Sequence, residues 1–269
     1  MDIGNLFWLV FIFLALQPVL ASRWLKELRA MKLARIQRMR NSRVIAIIHR
    51  QEAMKFFGFP IARYIDMNDA EQVLLAIRTT PDDRPIDLIL HTPGGLALAA
   101  LQIARALKAH VGKVTVFVPH FAMSGGTLIA LAADEIVMSE HAVLGSVDPQ
   151  INGMPAASII KVAAEKPLSD IDDQTLILAD IGAKAIEQLK RSARELLRVP
   201  MAPADAEALA DKLTSGRWTH DYPIGAAEAK TLGLNVSTAM PTEVLDLMAL
   251  FPQPVGRQGS VEFGPGANP

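Results

Sequence analysis

In the stretch HFAMSGGTLIALAADEIVM, His120 to Met138, Ser124 follows a short apolar run and precedes two glycines. A serine at such a strand-to-helix junction can simply cap the helix. It can also present a nucleophilic hydroxyl above a helix N-terminus, where main-chain N–H groups are free to bind an anion. A second constellation stands upstream, Gly94-Gly95 in HTPGG, with Gly94 30 residues before Ser124. Adjacent glycines let the backbone approach a carbonyl oxygen without a side chain in the way. The N–H of Gly125 points into the same region if both turns share one edge of a sheet. Hydrolysis of an amide needs a nucleophile, a base and donors for the oxyanion. Either turn alone does no more than end a strand; together, at equivalent ends of adjacent units, they supply two of the three.

The third requirement, a base, has several candidates among the six histidines and the lysines beyond Ser124. His91 precedes the PGG turn and His120 lies four residues before Ser124, where each either lines the site or satisfies hydrogen bonds at a strand end. His141, in a polar turn, reads as exposed. Asp148, in SVDPQ, either orients a base, contacts substrate or opens the Asp-Pro turn. Lys161 and Lys166 lie in SIIKVAAEKPL. A lysine serves as base only where desolvation lowers its pKa from about 10.4 towards neutrality, so it needs apolar cover. Trp218, in RWTHDYPI, reads as core, and His220 and Asp221 beside it take no role from their spacing.

The elements that must position these residues are legible around them. VIAII, Val44 to Ile48, reads as a buried strand, and NDAEQVLLAIRTT as a helix capped by Asn68 with Glu71 three positions on. PIDLILHTPGG with LALAALQIARALKAH, then KVTVFVPHFAMSGG with TLIALAADEIVM, give strand, Gly-Gly turn and helix twice over. Two such consecutive units imply a mainly parallel sheet with both turns at the C-terminal strand edges. AVLGSVDPQI supplies a further short strand, DDQTLILADIGAKAIEQLKRSARELL a long helix and PADAEALADKLTSG a shorter one. The Pro/Gly-rich stretch 252–269 reads as a disordered tail.

With 269 residues, 51% of them hydrophobic, the chain can build one sizeable core with appendages. Its 27 basic and 28 acidic residues nearly balance, yet residues 1–43 hold eight cations against two acids, leaving 19 against 26 in 44–269. An acidic body argues against nucleic acid as partner. The absence of cysteine excludes disulfides, thiolate metal sites and a thiol nucleophile. No metal or nucleotide motif is present, and no cofactor is expected. Ile3 to Ala21 carries no charge and as a helix would span roughly 30 Å, the length of a membrane anchor. A cleavable signal peptide and a buried core helix are the alternatives. The cations that follow place the body in the cytoplasm by the positive-inside bias. The expected organisation is therefore a transmembrane anchor over 1–21, a basic juxtamembrane helix over 22–43, a catalytic domain over 44–251 and the tail.

The ordered set HTPGGLALAALQIA, AMSGGTLIALAADEIVM, AVLGSVDPQ and SGRWT…AAEAKTLGL resembles the serine dehydrogenase proteinase family of Clp-fold serine proteinases. These are relatives of signal peptide peptidase A and of the stomatin-cleaving membrane peptidases. The resemblance implies an α/β, Clp/crotonase-like spiral of ββα units, serine peptidase activity and a homo-oligomer. It makes Ser124 the nucleophile and Gly95 and Gly125 the oxyanion hole, with His91, Gly94, His120 and Asp148 as possible lining. In the soluble Clp peptidase the catalytic histidine lies on the strand after the serine's helix, where this chain has LGSVDPQ and no histidine. The membrane-bound relatives use a lysine instead, and by that resemblance Lys166 is preferred to Lys161 as the base. The expectation is a membrane-anchored Ser-Lys endopeptidase acting on peptides or protein segments. A catalytically silent ring-forming scaffold and a crotonase-like acyl-CoA enzyme remain as alternatives.

Overall fold

The structure, a computed structural model, describes residues 3–50, 54–56, 59–61, 63–197 and 201–251. The chain runs α1 (Ile3–Arg40), β1 (Arg43–Ile48), β2 (Met54–Phe56), β3 (Phe59–Ile61), α2 (Met67–Arg78), β4 (Ile86–His91) and α3 (Ala97–Ala109). It continues with β5 (Val114–Val118), β6 (Phe121–Ala122), α4 (Gly125–Leu131), β7 (Glu135–Met138), β8 (Val143–Leu144), β9 (Gln150–Ile151) and β10 (Met154–Pro155). The last part is α5 (Ala156–Glu165), α6 (Asp173–Leu196), α7 (Pro203–Thr214), β11 (Ile224–Gly225), α8 (Ala226–Thr231), β12 (Val236–Ser237) and α9 (Thr242–Ala249).

A five-stranded parallel sheet in the order β1-β4-β5-β7-β12 forms the centre. Strands β4 and β5 are buried along their whole length, which is why they are mostly apolar, with Asp87, His91 and Thr115 as buried polar exceptions: both faces of a parallel sheet are covered. On one face Leu88, Leu90, Val116 and Val118 pack in the main core with residues of α2, α3 and α4. On the other, Ile89 and Phe117 pack with Ile36 of α1 and with Val244, Leu247 and Met248 of α9. A smaller sheet, β11-β8-β6, leads into the serine turn, so β5, β6 and α4 form a strand–strand–helix unit. The expected α/β architecture with a parallel sheet is thus present.

Helix α2 starts earlier than expected. Asp66, not Asn68, is its N-cap and pairs reciprocally with Asp69 in a capping box. Asp66–Asp69 has the same three-residue spacing as Asn68–Glu71, and both leading residues are capping types, so sequence alone could not choose. The C-terminal end of α1 is fixed to the sheet by Arg40 and Ser42, which both bond the carboxylate of buried Asp87. At the other end of that face Arg29 donates to Leu250 O and Arg50 to Met248 O and Phe251 O, two cations at the C-terminus of α9.

The segments expected as anchor and basic helix form one continuous helix of 38 residues. Among the described residues no helix is long and apolar enough to cross a membrane, so the expected transmembrane helix is not found there. Most side chains of 3–21 lie outside the described residues, as does the tail 252–269.

Candidate active site

Ser124 stands between β6 and α4 with φ 50° and ψ −116°. A non-glycine residue there is strained, because the first central position of a type II′ turn suits glycine. The hydroxyl makes no capping bond to α4, so helix capping does not account for the serine. The turn is held from both sides: Met123 N–H donates to Thr92 O, and Gly126 N–H to Met123 O.

The Gly94-Gly95 turn at the end of β4 lies directly against it. A Cβ on Gly94 would sit 2.7 Å from Ser124 Cβ and 3.2 Å from the Gly125 nitrogen. A Cβ on Gly95 would strike Ile65 O at 2.3 Å, and the two glycines have φ of +109° and +153°. Both the backbone angle and the lack of space therefore demand glycine here. Ile65 holds the turn in place, donating to Gly94 O and accepting from Leu96 N–H. A Cβ on Gly125 would lie 3.6 Å from the Gly95 nitrogen, so the main chains of these two glycines lie close together beside Ser124.

A cleft of about 430 Å³ opens over these turns. Leu128, Val147 and Leu189 give it an apolar wall, and Asp148, Gln150 and His220 a polar one. Asp148 is buried, and His220 Nδ1 lies 2.8 Å from its Oδ1. Ser146 Oγ donates to the same oxygen at 2.6 Å and Gln150 Nε2 to the other at 2.5 Å. Burial pushes the Asp148 carboxyl up, but the hydrogen bonds from His220 and Ser146 outweigh it and hold the group below its usual range. The bond to Asp148 in turn raises the His220 imidazole above its ordinary value, against burial. A carboxylate only accepts, so Nδ1 carries the hydrogen and Nε2 keeps the lone pair a general base needs. Trp218 and Tyr222, stacked at 4.8 Å, clasp the loop that carries His220.

The structure therefore brings Ser124, Gly95, Gly125 and Asp148 into one cleft, with Gly94 behind the serine. It does not bring the expected lysine. Lys166 is the exposed C-cap of α5, outside the residues lining the cleft, and Lys161 is exposed and pairs with Glu165. The buried residues of α5 are Ala156 and Ile159; Val162 beside Lys161 is itself exposed and Lys166 stands past the end of the helix, so neither lysine has the apolar cover expected. His91 and His120 also lie outside the lining. His91 follows Ile89 by two residues and so faces the α9 side, its ring 4.2 Å from Phe121 and 5.4 Å from His120. Burial, aided by Arg50, pushes His91 down to about 3 and lowers His120 as well. Among the described residues no cluster of three or more His, Asp or Glu could hold a metal ion.

The residue that sequence reasoning missed is His220. Its partner is 72 residues away, and only the fold joins them. The available signal is Asp148 itself, a carboxylate in the LGSVDPQ segment that carries no histidine.

Two proteins of Methanocaldococcus jannaschii, each described as uncharacterized, are similar along nearly the whole chain. One is 53% identical over 260 residues, covering 97% of this chain and 91% of its own length, and the other 51% identical over 264 residues, covering 97% and 89%. Among solved structures, ClpP1 from Listeria monocytogenes aligns with a TM-score of 0.46 at 16% identity, over 76% of this chain and 96% of its own. The pattern of the ClpP-like SDH-type serine proteinases matches residues 2–268, and on that near end-to-end match the chain belongs to this family.

Proposed function

We propose that the protein is a serine peptidase in which Ser124 is the nucleophile, His220 the general base and Asp148 the group that orients it. The observation that carries this reading is a strained serine sharing one cleft with a histidine–carboxylate pair and two glycine N–H groups. His220 Nε2 takes the proton of Ser124 Oγ as that oxygen attacks the scissile carbonyl carbon. The carbonyl oxygen gains the charge and accepts from the N–H groups of Gly95 and Gly125. The imidazolium, stabilised by Asp148, then protonates the leaving amine, and water repeats the sequence on the acyl-enzyme. His220 replaces Lys166 in this scheme because a lysine base needs a desolvated site and Lys166 is exposed. A fluorophosphonate probe should label Ser124 in the wild type and lose at least 10³-fold in rate in His220→Ala, with Lys166→Met near wild type. Absence of labelling at Ser124 would favour a silent scaffold or an acyl-CoA enzyme; loss of labelling in Lys166→Met would restore the dyad.

The uncharged stretch Ile3–Ala21 and the eight cations after it support a membrane-anchored enzyme with its body in the cytoplasm. The test is carbonate extraction of membranes with and without residues 1–21, together with a C-terminal topology reporter. Exposed Leu168, Ile177 and Ile181 beside and on α6 support a homo-oligomer, to be checked by sedimentation in detergent.

A further inference from the structure

Behind the Gly94-Gly95 turn lies a second imidazole–carboxylate pair that the reaction above does not use. His49, buried just past β1, has Nε2 3.2 Å from Asp69 Oδ2 and Nδ1 2.9 Å from Thr92 Oγ1. Thr92 Oγ1 in turn accepts from the Gly94 N–H at 3.2 Å. Asp69 is itself fixed by the capping box with Asp66. The main chain of Thr92 accepts from Met123 N–H and donates to Phe121 O, so this one residue is bonded to the chain that leads into the serine turn and, through its hydroxyl, to the glycine turn.

With a neutral His49 the protons along this chain have one sense. The Asp69 carboxylate can only accept, so a neutral His49 carries its hydrogen on Nε2 and presents Nδ1 as an acceptor. The Thr92 hydroxyl, whose other acceptor within reach is Gly94 O at 3.2 Å, then donates to the closer Nδ1 at 2.9 Å and accepts from the Gly94 N–H. Burial pushes the His49 imidazole down, against Asp69 and Asp66 and with the help of Arg63, which favours this neutral state. Two consecutive glycines at positive φ have little conformational preference of their own, so bonds from outside must fix where the Gly95 N–H points.

We propose that His49 and Thr92 are positioning residues that aim the Gly95 N–H at the oxyanion through the chain Asp69–His49–Thr92–Gly94, a role that rests on the peptidase reading. Neither touches substrate; each acts through the turn. Misplacing a donor by about 1 Å can cost on the order of 10²-fold in rate.

The test uses the full-length protein and the kinetics of labelling by a fluorophosphonate–rhodamine probe. Thr92→Val, which keeps the shape and removes the hydroxyl, should lower the maximal labelling rate about 10- to 100-fold, with the half-saturating probe concentration unchanged. Thr92→Ser should restore it to within about 3-fold. At position 49, Asn places an amide where Nδ1 stood and Gln where Nε2 stood. His49→Gln should therefore match Thr92→Val, His49→Asn should stay near wild type, and the double variant His49→Gln/Thr92→Val should be no slower than either single one. A merely structural role would not separate Asn from Gln in this order. Wild-type labelling rates in folded Thr92→Val or His49→Gln would overturn the proposal alone. A wild type unlabelled at Ser124 would overturn the peptidase reading and this role with it.

Discussion

Replacing Ser124 by glycine should make the protein more stable while abolishing its activity. At φ 50° and ψ −116° the residue occupies backbone space that costs a non-glycine side chain about 1–3 kcal/mol. Glycine removes that cost but adds conformational entropy to the unfolded chain, about 0.5–1 kcal/mol. The hydroxyl has no capping bond to lose. The net expectation for Ser124→Gly is a gain of about 1 kcal/mol, or roughly 2–4 °C in the unfolding midpoint for a body of this size. Ser124→Ala is the matched control, because it also loses the nucleophile but keeps the Cβ and hence the strain. Its stability should stay within about 0.5 kcal/mol of wild type. Urea unfolding of all three, with fluorophosphonate labelling as the activity readout, decides the matter. Ser124→Gly no more stable than Ser124→Ala would refute the claim that the fold stores strain at Ser124.

Three further outcomes are expected. Labelling of Ser124 should rise with pH through a value above the ordinary 6.5 of a histidine, because His220 must be neutral to act and its bond to Asp148 favours the charged form; Asp148→Asn should lower that value and cost about 10³–10⁴-fold in rate. Stability should fall on acidification from pH 7 to pH 5 by about 2 kcal/mol on account of His91 alone, since a group near 3 in the fold and near 6.5 in the unfolded chain leaves the unfolded state to bind the proton; urea unfolding of wild type and His91→Asn at both pH values isolates that slope. Gly95→Ala should destabilise the protein by about 2–4 kcal/mol and abolish labelling, because the new Cβ meets backbone of Ile65 on a strand-like bridge that cannot give way; calorimetry and the same probe report both.

The parts of this fold that were legible in the sequence are those whose signal is local. Strands β4 and β5 announced themselves because a strand buried on both faces is mostly apolar, with only Asp87, His91 and Thr115 departing from that. The two glycine turns were legible because positive φ and close approach leave glycine as the one residue that fits. The proposed base was not legible, because the contact between His220 and Asp148 exists only after α5, α6 and α7 have folded between them. Lys166 misled for a related reason. Apolar residues adjacent in sequence do not cover a side chain when the helix turns them to another face, as Ile159 is turned from Lys161, or when the side chain stands past the helix end, as Lys166 does.

The roles of the histidines follow from the two-residue period of the strands that carry them. Along β1, Ile45 and Ile47 face the α2 side and Val44, Ala46 and Ile48 the α9 side. Continuing the alternation past the strand sends His49 towards α2 and the glycine turn, and Arg50 towards α9, where its guanidinium meets Met248 O and Phe251 O. Along β4 the same count sends His91 to the α9 side with Ile89, and Thr92 back to the α2 side with Leu90. The imidazole beside the PGG motif is therefore on the wrong face to serve Ser124, and the threonine after it is on the right one to hold the turn. A shift of one residue in either strand would exchange these assignments, placing Arg50 behind the oxyanion turn and burying His49 against α9. The pairing of Ile48 with His91 fixes that register, and with it which side chains support the chemistry.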